Sequence, residues 1–299
     1  MLKSILEIAR HELNAAIRTK RAIWIAILYL GSALLGGVAF VVFVRFIERD
    51  VLAKLAERSG GAGTAADRFA LLRDPAIQKA AAYFAGVAPE QLAESFRNAV
   101  IVQFFFWGSL IFLPFLIVFT SFDQVAADLQ SRAILYSTLR ARRVAILLGK
   151  GLAQLALFVA VTLLGALGLT LLATSVLETF SLADALPALF RMVLLLIPYG
   201  LTYLAISSFA SVLTKQPFPA LLAAFGIMAF LRVSSWVTII PEEHPLAILR
   251  YIQWLSPSTY QRGFWLDDLW GPMGSVGAYL TFTALFTGFA ALILRRRDL

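Results

Sequence analysis

Between Asp128 and Lys150 the chain reads DLQSRAILYSTLRARRVAILLGK, one carboxylate at the start and five cations: Arg132, Arg140, Arg142, Arg143 and Lys150. Cations at this density suit two kinds of chemistry, wrapping a phosphate or pairing with carboxylates and anionic headgroups. The first needs a G-x-x-x-x-G-K-[ST] loop after a strand, so that backbone amides cradle the phosphates and a hydroxyl reaches magnesium. LLGKG at 147–151 has the Gly-Lys pair but not the earlier glycine, the hydroxyl or a strand. ATP therefore has no cradle here. No H-E-x-x-H or G-x-S-x-G occurs, the chain has no cysteine, and its two histidines are His11 and His244. The remaining concentrated polar groups are Glu242, Glu243, His244, Asp267 and Asp268, the groups a membrane-embedded enzyme acting on lipid-linked substrates would have to use.

The elements that must carry these residues are membrane helices. The chain has 299 residues, 60% of them hydrophobic, with a mean hydropathy of +0.80. A bilayer core takes about 20 apolar helical residues to cross. Six stretches meet that length: 22–44, 99–121, 152–175, 190–213, 218–240 and 276–294. The first, AIWIAILYLGSALLGGVAFVVFV, is 23 residues without a charge, too long for the apolar core of a cleaved leader, and is expected to stay as a span.

The formal charge of +8 is explained by where it falls. With the N-terminus inside, the cytoplasmic pieces 1–21, 122–151, 214–217 and 295–299 hold fourteen Lys/Arg and five Asp/Glu, whereas loop 46–98 holds seven of each. That bias follows the positive-inside rule and places both termini in the cytoplasm. Nucleic-acid binding becomes unnecessary as an explanation, and the absence of cysteine fits a bacterial inner membrane.

Residues 1–21 form the first unit, where Leu2, Ile5, Leu6, Ala9, Leu13, Ala16 and Ile17 recur at helical spacing, as in an amphipathic helix lying in the interface. Residues 22–299 form the six-span unit, with an external loop at 46–98 and a cytoplasmic one at 122–151. The external loop breaks at Gly60, Gly61 and Gly63 and resumes at Pro89, where Leu92 and Phe96 repeat at i, i+4, so a small helical cap is expected. Pro114 and Pro198 mark kinks. The small residues of AISSFAS, Ala205 to Ser211, let a neighbouring helix approach. Trp254, Tyr260, Trp265 and Trp270 read as interfacial anchors. Arg232 is the charge inside the fifth span, about two turns from its outer end, where it could meet an anionic substrate or snorkel to a headgroup. No span carries Asp or Glu, so a proton-coupled carrier lacks its carboxylate.

The stretch from Asp128 resembles the first cytoplasmic loop of permease subunits of the type-two ATP-binding-cassette exporters. Their pattern is an acid, then Gly-Thr, a Leu-rich helix, Pro-x-x-Arg and a closing Gly-Lys pair. Asp128, AILYSTL, Arg143 and Gly149-Lys150 correspond, while Arg132-Ala133 stands where Gly-Thr is usual and Ala141 where proline often sits. LILRRRDL at the end and WLSPSTYQRGFW before the sixth span are similar too.

The resemblance implies an all-α integral membrane protein: six transmembrane helices, an amphipathic entry helix, a cytoplasmic coupling helix and a small external helical lobe. It implies that two permeases, alike or different, form the pore, and that this chain is no enzyme and holds no cofactor. ATP and magnesium would belong to a separate ATPase subunit docked on the loop and entry helix. Coupling would then rest on Asp128, Arg132, Leu135, Leu139, Arg140, Arg142, Arg143 and Lys150. Spans two and five would line the pathway, with Phe105, Trp107, Pro114, Arg232, Ser234 and Ser235 as candidates. The bilayer and an external accessory protein complete the expected partners. The alternatives are the lipid-linked enzyme above and a membrane anchor that recruits a soluble complex through the same basic stretch.

Overall fold

The computed structural model describes residues 1–46, 75–94, 99–177, 182–236 and 247–297. Glu242, Glu243, His244, Phe96 and the glycine break at 60–63 lie outside the described residues, as does the side chain of Arg140. Among the described residues ten α-helices run in order: α1 Leu2–Arg18, α2 Arg21–Phe46, α3 Pro75–Ala85, α4 Val100–Ser121, α5 Ala126–Gln130, α6 Ala133–Arg140, α7 Arg143–Val176, α8 Leu182–Leu213, α9 Pro217–Ser234 and α10 Trp270–Arg296. Among the described residues the β pairing is one isolated bridge, Leu92 to Leu266. Helices α2, α4, α7, α8, α9 and α10 are long and apolar enough to cross a bilayer, so the protein is an all-α, six-span integral membrane protein.

The spans form because a bilayer offers backbone groups no water, and a helix satisfies its own. α8 is the central helix. It packs on α4, α7, α9 and α10 and buries Met192, Leu196, Tyr199 and Ile206. Its Thr202 hydroxyl donates to the Tyr279 carbonyl of α10 at 2.8 Å. The small-residue run of α8 is buried, as its composition predicts: Ala205, Ser207, Ser208, Ala210 and Ser211. α2, α9 and α10 are peripheral and leave Leu35, Phe230 and Leu292 exposed, the normal state of a lipid-facing side chain.

Two helix bounds and one aromatic side chain differ from the sequence reading in ways that bear on the site. α7 has 34 residues, about 50 Å at 1.5 Å per residue, against about 30 Å of hydrocarbon. About 20 Å of it therefore exceeds the hydrocarbon, and the stretch 128–150 is two short helices plus the first turns of α7. α9 ends at Ser234, which puts Arg232 in its last turn and not two turns in. Trp265 is no interfacial anchor: it is 2% exposed, with its ring 4.9 Å from that of Phe106, while Trp254 and Trp270 are exposed.

Candidate functional site

Chain termini and the 122–151 loop meet at one end of the bundle, here called the basic end. α5 starts there because Ser211 of α8 caps it: the Ser211 hydroxyl oxygen accepts the N–H of Val125 at 3.0 Å and of Ala126 at 2.9 Å. The first amides of a helix have no partner within it, and a buried hydroxyl from a neighbouring helix supplies one. Between α5 and α6 the backbone turns at Arg132, whose φ is +58°, the left-handed region that glycine adopts without strain. Arg132 stands at the position where the resembling loops carry glycine, and the turn supplies the reason for that glycine.

α6 is held on one side and free on the other. Ile134 is buried with Val125, Leu147, Val212, Ala290 and Leu294 in a small cluster. On the outward side Tyr136 is 76% and Leu139 83% exposed. Leu135 is at the edge, and Arg142 is exposed at the start of α7.

Lys150 and Arg143, and Arg297 near the chain's end, have partners inside the chain. Lys150 is nearly buried, with its Nζ 2.7 Å from Glu12 Oε1 of α1 and 3.0 Å from Asp128 Oδ2 of α5. Next to it, Gly149 gives α1 room: a Cβ there would meet Ile8 Cβ at 2.7 Å and the Ile5 carbonyl oxygen at 3.0 Å. Gly149 thus admits the entry helix and Lys150 ties it to α5. Arg143 Nη1 donates to the carbonyls of Leu294 at 2.8 Å, Arg295 at 3.1 Å and Arg297 at 2.8 Å, closing the end of α10. Arg297 Nη1 donates in turn to Val212 at 2.5 Å and Thr214 at 3.2 Å, closing α8. Cations at helix C-termini satisfy orphan carbonyls and oppose the negative end of the dipole.

At the far end, the chain around Leu92 clasps the segment before α10. The Ala93 N–H donates to the Trp265 carbonyl and the Asp267 N–H to the Gln91 carbonyl, both at 2.9 Å. Arg191 of α8 donates to the Leu266 carbonyl at 2.6 Å. Asp268 Oδ1 accepts the Gly271 N–H at 3.0 Å at the start of α10. From this end a cleft of about 470 Å³ descends between α4, α8 and α9 to the middle of the bundle, with Ser256 and Ser258 at its mouth and Pro114 and Tyr203 deeper.

The sequence description of ABC-2 family transporter proteins matches residues 6–299. The chain belongs to the ABC-2 transporter family. No curated protein matches the sequence. An ABC-2 permease is the membrane-spanning transport part of an ATP-binding-cassette transporter, and this multi-pass chain is one.

Within the permease, the residues expected to line a pathway do not gather. Pro114 and Arg232 share the cleft. Phe105 is on the other face of α4, buried against α7 and α8 beside Met192 and Ala166. Trp107 lies towards Phe104 and the α2 side, with ring centres 6.5 Å apart, and Phe104 stacks on Phe40 at 4.0 Å. The Ser234 and Ser235 hydroxyls bond back to the carbonyls of Leu231 at 2.8 Å and Arg232 at 2.7 Å, finishing their own helix.

Sequence reading passed over Arg191, Ser211 and Glu12 as site residues. Arg191 could have been found as a cation inside the long α8 pattern. Ser211 read as packing and Glu12 as one charge on the polar face of a helix, because their partners are far away in the chain.

Proposed function

We propose that this permease is the translocating subunit of an exporter driven by a separate ATPase, which docks on the exposed side of α6 and on α1. The observation that carries the reading is the exposure of Tyr136 and Leu139 on a helix whose opposite side is pinned by Ile134. A short helix anchored on one side and apolar on the other can pass force only if something covers it, and it is too short to insert in a bilayer. Arg142 sits beside this knob and can pair with a partner carboxylate.

The residues of the basic stretch then divide by role. Leu135, Tyr136, Leu139 and Arg142 meet the ATPase, with Arg132 at the rim. Asp128, Arg143 and Lys150 carry displacement onward: a push on α6 reaches α5 and α1 through Asp128–Lys150–Glu12, and α10 through Arg143. Each connection uses charge-assisted bonds, which are the stronger kind. ATP and magnesium would be bound by the ATPase. A second permease, a copy or a relative, would complete the pathway, and in this reading the basic end faces the cytoplasm across a bacterial inner membrane, an orientation the positive-inside bias supports.

Co-purification tests this. The full-length permease expressed with its native neighbours should retain an ATP-binding-cassette ATPase, and Leu139→Asp with Tyr136→Ser should release it while the permease stays folded. A permease that brings down no such ATPase, or a variant that holds it unchanged, refutes the reading.

A further inference from the structure

The cleft between α4, α8 and α9 pairs an apolar interior with one cation. Its walls are Pro114, Phe115, Phe225 and Met228, and its rim carries Arg232 and Trp236. The length of α9 sets its depth. Arg232 is in the last turn at the far end and Phe225 about two turns below, so the cleft spans roughly one leaflet. About 470 Å³ is the size of site that buries one chain of a lipid or a drug-sized molecule.

Arg232 decides what fits. Its side chain is exposed, and among the described residues no carboxylate lies within ion-pair distance of it. Closing the negative end of α9 explains a cation in the last turn, but not an apolar slot beneath it. A guanidinium at the mouth of an apolar slot is complementary to an anionic oxygen head attached to a hydrocarbon chain. Other polar groups at the mouth are partly engaged: Ser256 and Ser258 bond each other at 2.7 Å, and Tyr199 donates to the Leu110 carbonyl. A neutral hydrogen-bonding molecule would therefore find few open partners.

We propose that this cleft is a binding site for an anionic amphiphile, a membrane lipid with its oxyanion head on Arg232 and one chain between Pro114, Phe115, Phe225 and Met228. This names the class of molecule the permease handles, and in that respect alone it rests on reading the chain as a transporter.

The test uses Trp236 as the reporter. The full-length permease is reconstituted in phosphatidylcholine vesicles containing a minor fraction of either phosphatidylglycerol or phosphatidylcholine with brominated chains, which quench nearby tryptophan. The Trp236 contribution is the difference between wild type and Trp236→Phe. The anionic lipid should quench that contribution about threefold more strongly than the zwitterionic one, as a partly exposed ion pair allows. Arg232→Gln should equalise the two, Arg232→Lys should keep part of the preference, and excess inorganic phosphate should not displace the lipid. Equal quenching in the wild type overturns the proposal. A preference that survives Arg232→Gln, or displacement by phosphate alone, overturns it as well. No ATPase enters the measurement, so its outcome is separate from that of the co-purification.

Discussion

Lys150 Nζ lies 2.7 Å from Glu12 Oε1, joining the start of the third span to the helix that precedes the first. With Asp128 at 3.0 Å on the other side, one ammonium holds two carboxylates from two other elements. Replacing it by Lys150→Met leaves those two partly exposed carboxylates facing each other without a cation between them. We expect a loss of about 1–3 kcal/mol, below the fully buried case because Glu12 is partly exposed. A thermal melt several degrees lower and faster proteolysis of α1 would show it. An unchanged melt would mean that the triad bears no load.

Gly149→Ala should displace α1. The new Cβ meets Ile8 Cβ at 2.7 Å and a backbone oxygen at 3.0 Å, so the helices must separate at an overpacking cost of about 1–3 kcal/mol. The protein has no cysteine, so a single Leu13→Cys reports the contact without background. Thiol labelling should speed up in the alanine variant. Equal rates would show that α1 docks without needing the glycine.

At Arg132 the two substitutions should part. Arg132→Gly relieves a left-handed residue worth about 1 kcal/mol and should keep or raise stability, whereas Arg132→Val places a β-branched side chain at φ +58° and should lower it. Thermal melts of both decide this. A valine variant as stable as the glycine variant would mean that the turn is not strained.

Leu139→Asp tests the docking knob. The side chain is 83% exposed, so its loss should leave the melt of the isolated permease unchanged. Covering one leucine contributes about 1.5–3 kcal/mol, so ATPase affinity should fall roughly 10- to 100-fold. Parallel titrations of wild type and variant measure it, and equal affinities would remove α6 from the interface.

Arg191→Gln should loosen the far end. Loss of the Leu266 carbonyl contact at 2.6 Å should cost about 1–2 kcal/mol and open the clasp on Gln91 and Ala93. Trypsin should then cut at the exposed Arg262 faster than in the wild type. Identical digestion would show that the clasp holds without the arginine.

Legibility of the fold followed the range of the interactions concerned. The six spans could be read because a membrane helix needs only its own apolar length. The entry helix could be read because its periodicity is local. Arg132 and Gly149 stood out as positions within a loop pattern, but their physical reasons, a left-handed turn and a helix crossing, needed coordinates. The pathway candidates scattered because residues adjacent in sequence, such as Phe104, Phe105 and Phe106, point to different neighbours on a helix.

The sequence by itself determined the class, the number of spans, and which end carries the cations, since chain length against bilayer thickness and charge per loop are sums over neighbouring residues. Only the tertiary structure decided which cations are committed. Arg143 closes α10, Arg297 closes α8 and Lys150 holds α1 to α5, while Arg142 stays exposed beside the apolar knob. Those partners come from distant parts of the chain, and a guanidinium or ammonium bonds whatever acceptor the packing brings within 3 Å or so, which no local spacing records.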